Sequence, residues 1–454
     1  MSAKLMWTRL AVCCTNTSSV SAHVMVGAEH AVPLPSPPRR IESSLTLIPR
    51  FEMKILYIAP WLPWPPHDGA RIRIWETLRF LAPQHRVTFL THRPETESAG
   101  EEKPVRELCE RIETAVLPAR VGPVLGRLAQ GIGRGLPLMQ AFHWQPQLAR
   151  RIRQLTTAED YDIVHIEFSY MAHYLLALSP ASRAQTVLSM HNVESIRFAR
   201  ELQVAPWSGR RLGLMWDQYL HRQWEPKSLR RFDGILATSE VEREWIEAHA
   251  PEAVVALAPN GVDVQRIQAL EPPQESHSIV FTGLMNYPPN VDAAVWFCQD
   301  IWPFLRQHLP PLKLNIVGRL PHPRVVALGR QPGVCVTGEV PDVRPYVDEA
   351  LALVVPLRSG GGTRLKILEA MAMGRPVVST ALGAEGLEIV PGENILLAET
   401  AEQFLQQLRT LIDHPDRARQ LGQAGRQLVV AQYDWPICLR GLTGLYDTLM
   451  SRTT

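Results

Sequence analysis

The chain has 454 residues, which is too long for one ordinary hydrophobic core and predicts two large domains or three smaller ones. Hydrophobic residues make up 46% of it and charged residues 20%, a globular composition that excludes global disorder. Lys and Arg number 47 against 45 Asp and Glu, so nothing indicates a nucleic-acid-binding protein. The six cysteines lack CxxC or Cys/His ligand spacing, which favours neither a disulfide scaffold nor a zinc site and fits a reducing cytosol.

Residues 1–52 differ in composition from the rest of the chain. Polar residues interrupt the uncharged part of this segment, residues 10–28, so it is too polar for the core of a signal peptide. A Pro-rich stretch follows, and a continuously apolar run then begins at Lys54, directly after Met53. We interpret residues 1–52 as a disordered extension, with a weak targeting segment as the alternative.

From Met53 onward, short apolar runs alternate with longer stretches of helical period. The runs are continuously apolar, as expected of strands that are covered on both faces, and strand–helix alternation is typical of parallel sheets. The pattern therefore predicts two doubly wound α/β domains, residues 53–260 and 261–435, with a last helix at about 436–450 crossing back to the first. The predicted strands span residues 54–59, 87–91, 163–167, 186–190, 234–238 and 254–258, and then 278–282, 313–317, 334–337, 352–356, 376–379 and 395–397. The predicted helices include residues 71–81, 241–249, 290–305, 364–373 and 402–411.

A glycine-rich turn stands between a predicted strand and a predicted helix. Gly360, Gly361 and Gly362 follow the strand, and Thr363 is an acceptable N-cap for the helix. Glycines let the main chain approach a ligand closely, and the free amides at a helix start attract anions. Arg364 and Lys366 add positive charge, so the turn is predicted to bind phosphate; a flexible loop without a ligand is the alternative.

Glu369 lies about two turns into the same, otherwise apolar helix. A carboxylate in such a place needs a partner if it is buried, and the two hydroxyls of a ribose would supply hydrogen-bond donors. The alternative is an ion pair with Lys366 three residues earlier, a contact that is worth only tenths of a kcal/mol.

Residues 359–379 resemble the nucleotide-sugar signature of glycosyltransferase family 4, also called the group 1 transferases. Pro-Asn-Gly with Asn260 at the domain junction, Ile-Val-Gly ending at Gly318, and Thr-Gly-Glu-Val ending at Val340 agree with it, and the resemblance extends over about residues 53–450. It implies a GT-B fold, in which two Rossmann-like domains enclose a cleft. It also implies transfer of a hexose-type sugar from a nucleoside-diphosphate donor, with retention of anomeric configuration. The resemblance is to a branch associated with bacterial extracellular polysaccharide synthesis.

The resemblance assigns roles to particular residues. Glu369 matches the second Glu of the family's Glu–seven residues–Glu pattern and would bind the donor ribose, whereas the first Glu falls on Gly361. The family's Arg and Lys for the diphosphate are missing after the strand at 278–282, and Arg364 and Lys366 would substitute for them. The predicted donor-binding residues are Gly360, Gly361, Gly362, Thr363, Arg364, Lys366, Glu369, Asn260, Gly283 and Val340.

The first domain supplies the predicted catalytic residue. His191 follows the strand at 186–190 and matches the His that the family places near the donor sugar, where we expect it to donate a hydrogen bond to the sugar or main chain. Glu167 and His165 are weaker candidates. Asp68, Gly69 and Arg71 follow the first strand and are predicted to face the acceptor and the donor phosphate. The Trp- and Pro-rich loop before them is either an apolar lid or a packed surface loop.

Asp160 and Asp162 look like the metal-binding Asp-x-Asp of another glycosyltransferase fold. They precede a strand, however, and so belong to the end of the sheet away from the expected cleft. We expect no metal and no cofactor besides the nucleotide-sugar co-substrate.

The expected partners are a nucleotide-sugar donor and a glycan or lipid-linked acceptor, with a cytoplasmic location and peripheral contact at the inner face of the membrane. Residues 114–158 contain six Arg and no acidic residue, so this stretch either lies against anionic lipid or forms a solvated face. Two other functions remain open on the sequence: a nucleotide-sugar epimerase of the same fold and a non-catalytic nucleotide-binding subunit.

Overall fold

The computed structural model describes residues 52–94, 102–117, 133, 136–205, 207–269 and 276–452. The predicted extension, residues 1–52, lies outside these residues except for Glu52. The described chain forms a seven-stranded and a six-stranded sheet, and every pairing between neighbouring strands is parallel. The prediction of two doubly wound α/β domains is confirmed.

The first sheet has the strand order β3-β2-β1-β4-β5-β6-β7. Its strands are β1 (Lys54–Ile58), β2 (Arg86–Pro94), β3 (Arg111–Leu117), β4 (Ile163–Glu167), β5 (Gln185–Ser189), β6 (Gly234–Ala237) and β7 (Val254–Leu257). Its helices are α1 (Gly69–Leu81), α2 (Lys103–Leu108), α3 (Leu138–His143), α4 (Pro146–Ala158), the 3-10 helix Ser169–Ala177, α5 (Glu194–Val204), α6 (Gly209–Leu229) and α7 (Glu240–His249). The edge strand β3 was not predicted, because Arg111, Glu113 and Thr114 in its first half prevent a continuous apolar run.

The second sheet has the strand order β10-β9-β8-β11-β12-β13. Its strands are β8 (Ser278–Thr282), β9 (Lys313–Val317), β10 (Val334–Gly338), β11 (Ala352–Val355), β12 (Val377–Ser379) and β13 (Leu396–Leu397). The remaining helices are α8 (Pro288–Trp296), the π-helix Phe297–Ile301, α9 (Trp302–His308), α10 (Pro323–Leu328), α11 (Arg344–Asp348), α12 (Leu365–Ala372), α13 (Ala401–Asp413), α14 (Pro415–Gln432), α15 (Trp435–Cys438) and α16 (Arg440–Ser451). The predicted helix 290–305 is thus interrupted by a π-turn just before Pro303, which cannot donate a main-chain hydrogen bond.

The apolar runs form the central strands because both faces of each sheet are covered. Residues 55–58 of β1 and residues 352–355 of β11 are fully buried. In each sheet the strand order reverses at one point, between β1 and β4 in the first and between β8 and β11 in the second. Ligands of doubly wound sheets bind at the carboxyl ends of the strands beside such a point. The loops after these four strands are therefore the ones that the fold places at a site.

The C-terminal part of the chain returns to the first domain. The chain segment after β7 lies against the segment before α15, where the Val262 amide donates to the Tyr433 carbonyl at 2.8 Å. Helix α16 then packs on β6, since a Cβ atom built on Gly234 would lie 2.9 Å from the Leu449 side chain. Among the described helices, none is long and apolar enough to cross a membrane.

Candidate active site

The loop after β5 and the glycine turn after β11 touch each other across the two domains. A Cβ atom on Gly362 would lie 2.6 Å from the main-chain oxygen of His191, and one on Gly361 would lie 2.8 Å from Asn192 Oδ1. Gly362 also has φ of 69°, which a side chain would disfavour. Gly362 therefore permits an approach to the His191 main chain that a side chain would block, whereas a side chain at Gly361 would force the Asn192 side chain to move. The Asn192 Oδ1 atom is buried and accepts no hydrogen bond from the described residues.

His191 is held by Glu167, which ends β4. Its Nε2 lies 2.6 Å from Glu167 Oε2, and its ring stacks on Phe168 at 3.8 Å between centroids. Burial would raise the pKa of the Glu167 carboxyl, but His191 and His165 hold it well below its usual range. An ionised carboxylate only accepts hydrogen bonds, so Nε2 of His191 carries the proton in this contact.

The orientation of His191 changes one expectation from the sequence. Burial lowers the pKa of His191, although Glu167 opposes this effect, so the neutral ring is favoured. A neutral ring with its proton on Nε2 can only accept at Nδ1. In this tautomer Nδ1 of His191 would accept a hydrogen bond from a ligand hydroxyl, and we propose this contact in place of the expected donation to the sugar.

Glu167 is the centre of a buried hydrogen-bond network. The Tyr57 hydroxyl, from β1, donates to Glu167 Oε1, and His165 Nε2 lies 3.5 Å from the same oxygen. The other ring nitrogen of His165 lies 2.6 Å from the hydroxyl of Tyr446 in α16. The sequence ranked Glu167 below His191, although a carboxylate at the end of an apolar strand was the signal that marks it.

Lys366 extends to the end of β8, where the resemblance has a basic residue that this chain lacks. Its ammonium donates to Asn290 Oδ1 at 3.0 Å and lies 4.3 Å from the centre of the Phe281 ring. A Cβ atom on Gly283 would be only 2.9 Å from the Lys366 nitrogen. Burial, together with the charge of Arg364, lowers the pKa of Lys366 to about 7. The cation is thus supplied from α12 to the strand end at which the sequence has none.

Glu369 lies one helical turn after Lys366. Within the part of the chain that the structure describes, its carboxylate forms no hydrogen bond or ion pair, so the alternative pairing with Lys366 is not observed. Burial raises the pKa of Glu369 to about 7; the nearby Lys366 charge opposes this rise, while Asp342 adds to it. A desolvated carboxylate without a hydrogen-bonding partner is suited to accepting hydrogen bonds from a ligand.

The Arg364 side chain holds the glycine turn by hydrogen bonds to its main-chain carbonyl groups. One guanidinium nitrogen donates to the carbonyl oxygens of Gly361 and Gly362, whereas Nε and Nη2 are buried without a hydrogen-bond partner among the described residues. Arg364 also takes the N-cap position of α12 with an extended main chain, so the prediction of Thr363 as N-cap is wrong. Gly374, which follows the helix, has φ of 71°, in the left-handed region.

Thr363 and Asn260 connect the turn to the first domain. The main-chain amide of Asn260 donates to Thr363 Oγ1, and the side-chain Nδ2 of Asn260 donates to the Thr363 carbonyl, both at 3.3 Å. Arg73, a buried residue of α1, donates to Asn260 Oδ1 at 3.0 Å. Asn260 therefore joins α1 to the glycine turn and positions the turn.

The start of α1 faces the start of α12. Asp68 accepts a hydrogen bond from the Arg71 amide at 3.0 Å, and a Cβ atom on Gly69 would lie 3.0 Å from the Leu365 side chain. Asp68 also accepts from Arg319 of the second domain at 2.9 Å. The sequence did not predict this ion pair, because no pattern marks residues that meet only across two domains.

The Trp- and Pro-rich loop before α1 is not a lid. Trp64 is buried against Trp75 with ring centroids 4.9 Å apart, and Leu62 is fully buried. Trp61 packs on Phe168. The packed-loop alternative therefore describes it, and the expectation of an apolar lid is wrong.

Val340 and Asp162 contact other parts of the chain. Val340 follows β10 and packs against the apolar core of the second domain. Asp162 accepts a hydrogen bond from the Lys54 amide at the amino end of β1, far from the strand ends that carry His191. Among the described residues, no group of three His, Cys, Asp or Glu side chains could hold a metal ion.

Another ion pair across the domains was not predicted. Both terminal nitrogens of Arg200, in α5, donate to the Glu385 carboxylate at 2.6 and 2.8 Å. Arg200 also donates to the Gly360 carbonyl at 3.2 Å. The glycine turn is thus held from the first domain by Arg200 as well as by Asn260.

Family models match both domains. A model described as Glycosyltransferase Family 4 matches residues 67–266, and a model described as Glycosyl transferases group 1 matches residues 276–414. The chain belongs to the group 1 glycosyltransferases. The resemblance predicted from the glycine turn is confirmed, and the protein is a glycosyltransferase.

Individual proteins of known sequence or structure agree with this. An uncharacterized 44.6 kDa protein in the cps region of Klebsiella pneumoniae is 21% identical over 371 residues, which are 78% of this chain and 90% of that protein. Sucrose-phosphate synthase from Thermosynechococcus elongatus has a TM-score of 0.64 at 17% identity, over 88% of this glycosyltransferase and 100% of that chain. Anabaena HepE in complex with UDP-glucose has a TM-score of 0.58 at 14% identity, over 88% and 100%. These structures share the GT-B fold, as predicted.

Proposed function

We propose that this glycosyltransferase transfers a hexose from a nucleoside-diphosphate donor, with retention, to a glycan or lipid-linked acceptor in cell-surface or extracellular polysaccharide synthesis. The observation that carries the proposal is the pair Lys366 and Glu369. One turn of α12 presents a cation to the end of β8 and a carboxylate without a hydrogen-bonding partner. A nucleoside diphosphate carries the complementary groups, namely a diphosphate and a ribose diol.

Lys366 would stabilise the leaving diphosphate. Its ammonium is held by Asn290 beside Gly283. A fixed cation in a desolvated site stabilises negative charge that develops on a leaving group without further reorganisation. The unpartnered nitrogens of Arg364 add donors on the other side of the glycine turn.

Glu369 would accept hydrogen bonds from the ribose hydroxyls. Asn192 would take the place of the family's first Glu in contacting the sugar. A side chain at residue 361 would collide with Asn192 Oδ1. The replacement of the family's first Glu by Gly361 thus leaves room for this unpartnered oxygen. His191, oriented by Glu167, would accept a hydrogen bond from a sugar hydroxyl while the acceptor hydroxyl attacks from the same face.

The biological role, the acceptor and the donor class are each supported by a separate argument. The Klebsiella pneumoniae relative is described as lying in a cps region, which supports a role in surface polysaccharide synthesis. A lipid-linked acceptor would require the enzyme to work at the cytoplasmic side of the membrane as a peripheral protein. HepE, which shares the fold, is solved with UDP-glucose, and this supports a nucleotide sugar as the donor.

Thermal unfolding with a panel of nucleoside diphosphates and their sugars tests the donor class, because a ligand that binds only the folded state raises the melting temperature. We expect one base to stabilise the protein and its sugar conjugate to be consumed with release of the diphosphate. NMR of the product would then show the anomeric configuration of the donor. An inverted product would contradict retention, and the absence of any stabilising nucleotide would contradict the donor class.

A further inference from the structure

Helix α6 exposes a row of large apolar side chains to solvent. Leu212, Met215, Trp216 and Tyr219 are 61%, 45%, 58% and 54% exposed. They follow each other at intervals of three, one and three residues, so they form one stripe on the helix. Trp207, just before the helix, is 79% exposed. A contiguous patch of this kind marks an interaction surface rather than an ordinary solvated face.

The opposite face of α6 is firmly packed, so the stripe does not result from a loosely held helix. Glu225 is fully buried, and its carboxylate accepts hydrogen bonds from the amides of Glu194 and Ser195 at 2.7 and 2.9 Å. His221 is fully buried as well. These amides begin α5, which follows Asn192 after a single residue. The stripe is therefore carried by a helix that is fixed to the active-site side of the first domain.

The second half of the same outward face is basic. Arg222 and Lys227 of the helix and Arg231 just after its end are exposed, whereas both acidic residues of α6, Asp217 and Glu225, are buried. Arg230 is exposed as well, but it donates to the His249 carbonyl at 2.8 Å and is engaged within the protein. About 20 residues of helix span about 30 Å, so the apolar and basic halves lie end to end along one surface. No exposed acidic residue of this helix offsets the basic charge.

We propose that the outward face of α6 docks this enzyme on an anionic lipid surface. Aromatic and aliphatic side chains enter the headgroup region, and neighbouring basic side chains are attracted by anionic headgroups. One lipid surface satisfies both halves of the helix. A second copy of the chain would meet the apolar half but would bring positive charge to a positive surface. The inference rests on the proposed lipid-linked acceptor, which needs the enzyme at a membrane.

The basic stretch 114–158 is a weaker candidate for the same contact. Arg151 pairs with Glu113 at 2.8 Å, and Arg153 donates to the Ala177 carbonyl at 3.0 Å. Of the three Arg in α4, these two are thus engaged within the protein. The other Arg of the stretch, residues 120, 127 and 134, lie outside the described residues. Arg150/Arg151/Arg153→Glu is therefore a matched charge control for α6.

Sedimentation with vesicles of phosphatidylcholine and phosphatidylglycerol in equal parts tests the proposal on the full chain. We expect binding that weakens with salt and is much weaker on phosphatidylcholine alone. Trp216→Ser with Tyr219→Ser, and separately Arg222/Lys227/Arg231→Glu, should each lower the vesicle partition coefficient at least about tenfold. The control in α4 should lower it far less.

Unchanged partition of both α6 variants, or loss only in the α4 control, would overturn the proposal. Light scattering tests the other possible occupant of this face, a second copy of the chain. If wild type is a dimer and the Trp216→Ser/Tyr219→Ser variant is a monomer, the face binds a second copy and the lipid assignment is wrong. Nucleoside-diphosphate stabilisation should be the same in all variants, which also confirms that they are folded. Vesicle binding by a protein that no nucleotide stabilises would contradict the proposed function and not this surface.

Discussion

Nε2 of His191 lies 2.6 Å from Oε2 of Glu167, and the carboxylate is ionised in a fully buried position. Glu167 therefore decides which ring nitrogen of His191 carries the proton and which one faces a ligand. Because Tyr57 and His165 also surround Glu167, the ring position depends on residues from β1 and β4. His191 acts with a positioning residue and not alone.

Glu167→Gln should lower the transfer rate about 10- to 100-fold, as loss of an orienting carboxylate behind a functional His commonly does. A Gln amide can present a donor to Nε2, which would favour the other tautomer of His191. Donor affinity should change little, because Glu167 is fully buried and contacts Tyr57, His165 and His191. Measurement of kcat and of nucleoside-diphosphate affinity checks this, with Glu110→Gln, an exposed partner of Arg86, as control. An unchanged kcat would remove the positioning role.

The pKa of Lys366 predicts how the affinity for a nucleoside diphosphate changes at alkaline pH. Its pKa is about 7 in the free protein, and the diphosphate binds the charged form. Affinity for a nucleoside diphosphate should therefore fall as pH rises above about 7, by at most about tenfold per pH unit for one proton. Lys366→Arg should bind with no such fall, because a guanidinium stays charged. Calorimetric titration at several pH values measures this, and a flat wild-type profile above pH 7 would contradict the assignment.

Glu369 predicts a requirement for the ribose hydroxyls. Hydrogen bonds to a charged group are worth about 1.5–3 kcal/mol, so Glu369→Ala should weaken nucleoside-diphosphate binding about 10- to 100-fold. The 2′-deoxy diphosphate should bind wild type more weakly than the ribose form, and the variant should bind both alike. Binding isotherms of the four combinations provide the comparison. A variant that still prefers the ribose form would show that another residue holds the diol.

Asn192 and Gly361 predict a coupled pair of substitutions. Gly361→Ala places a methyl 2.8 Å from Asn192 Oδ1, and overpacking of this kind costs about 1–3 kcal/mol of stability. In an Asn192→Ala background the same substitution should cost much less. Gly261→Ala meets the main-chain oxygen of Tyr433 at 2.9 Å instead, so its cost should be the same in both backgrounds. Denaturant unfolding of these variants measures the coupling, and additive effects at Gly361 would contradict the contact.

Much of this architecture could be predicted from the sequence because central parallel strands are continuously apolar. The strands at 163–167, 278–282 and 313–317 were predicted with the observed bounds. The first half of the edge strand β3 contains Arg111, Glu113 and Thr114, so the same criterion missed it. The glycine turn was predicted in its observed place between β11 and α12, since three consecutive glycines at a strand end have few other uses.

The site residues that were missed all depend on contacts between distant parts of the chain. Arg319 and Arg200 form their ion pairs only where two domains meet, and neither belongs to a local pattern. Asn290 holds Lys366 from another helix. The direction of the His191 hydrogen bond could not be predicted either, because it depends on Glu167, 24 residues earlier in the chain. Spacing along the sequence contains no information about such pairs.

The central claim is that Lys366 and Glu369 hold a nucleotide sugar for transfer. The most direct measurement is incubation of wild type and of the Lys366→Ala/Glu369→Ala variant with the stabilising nucleotide sugar and a glycan acceptor, followed by NMR of all products. Our account predicts released nucleoside diphosphate and a glycoside with the donor's anomeric configuration for wild type, and neither for a folded variant. Formation of an epimer of the donor without acceptor, or equal turnover by both proteins, would contradict it.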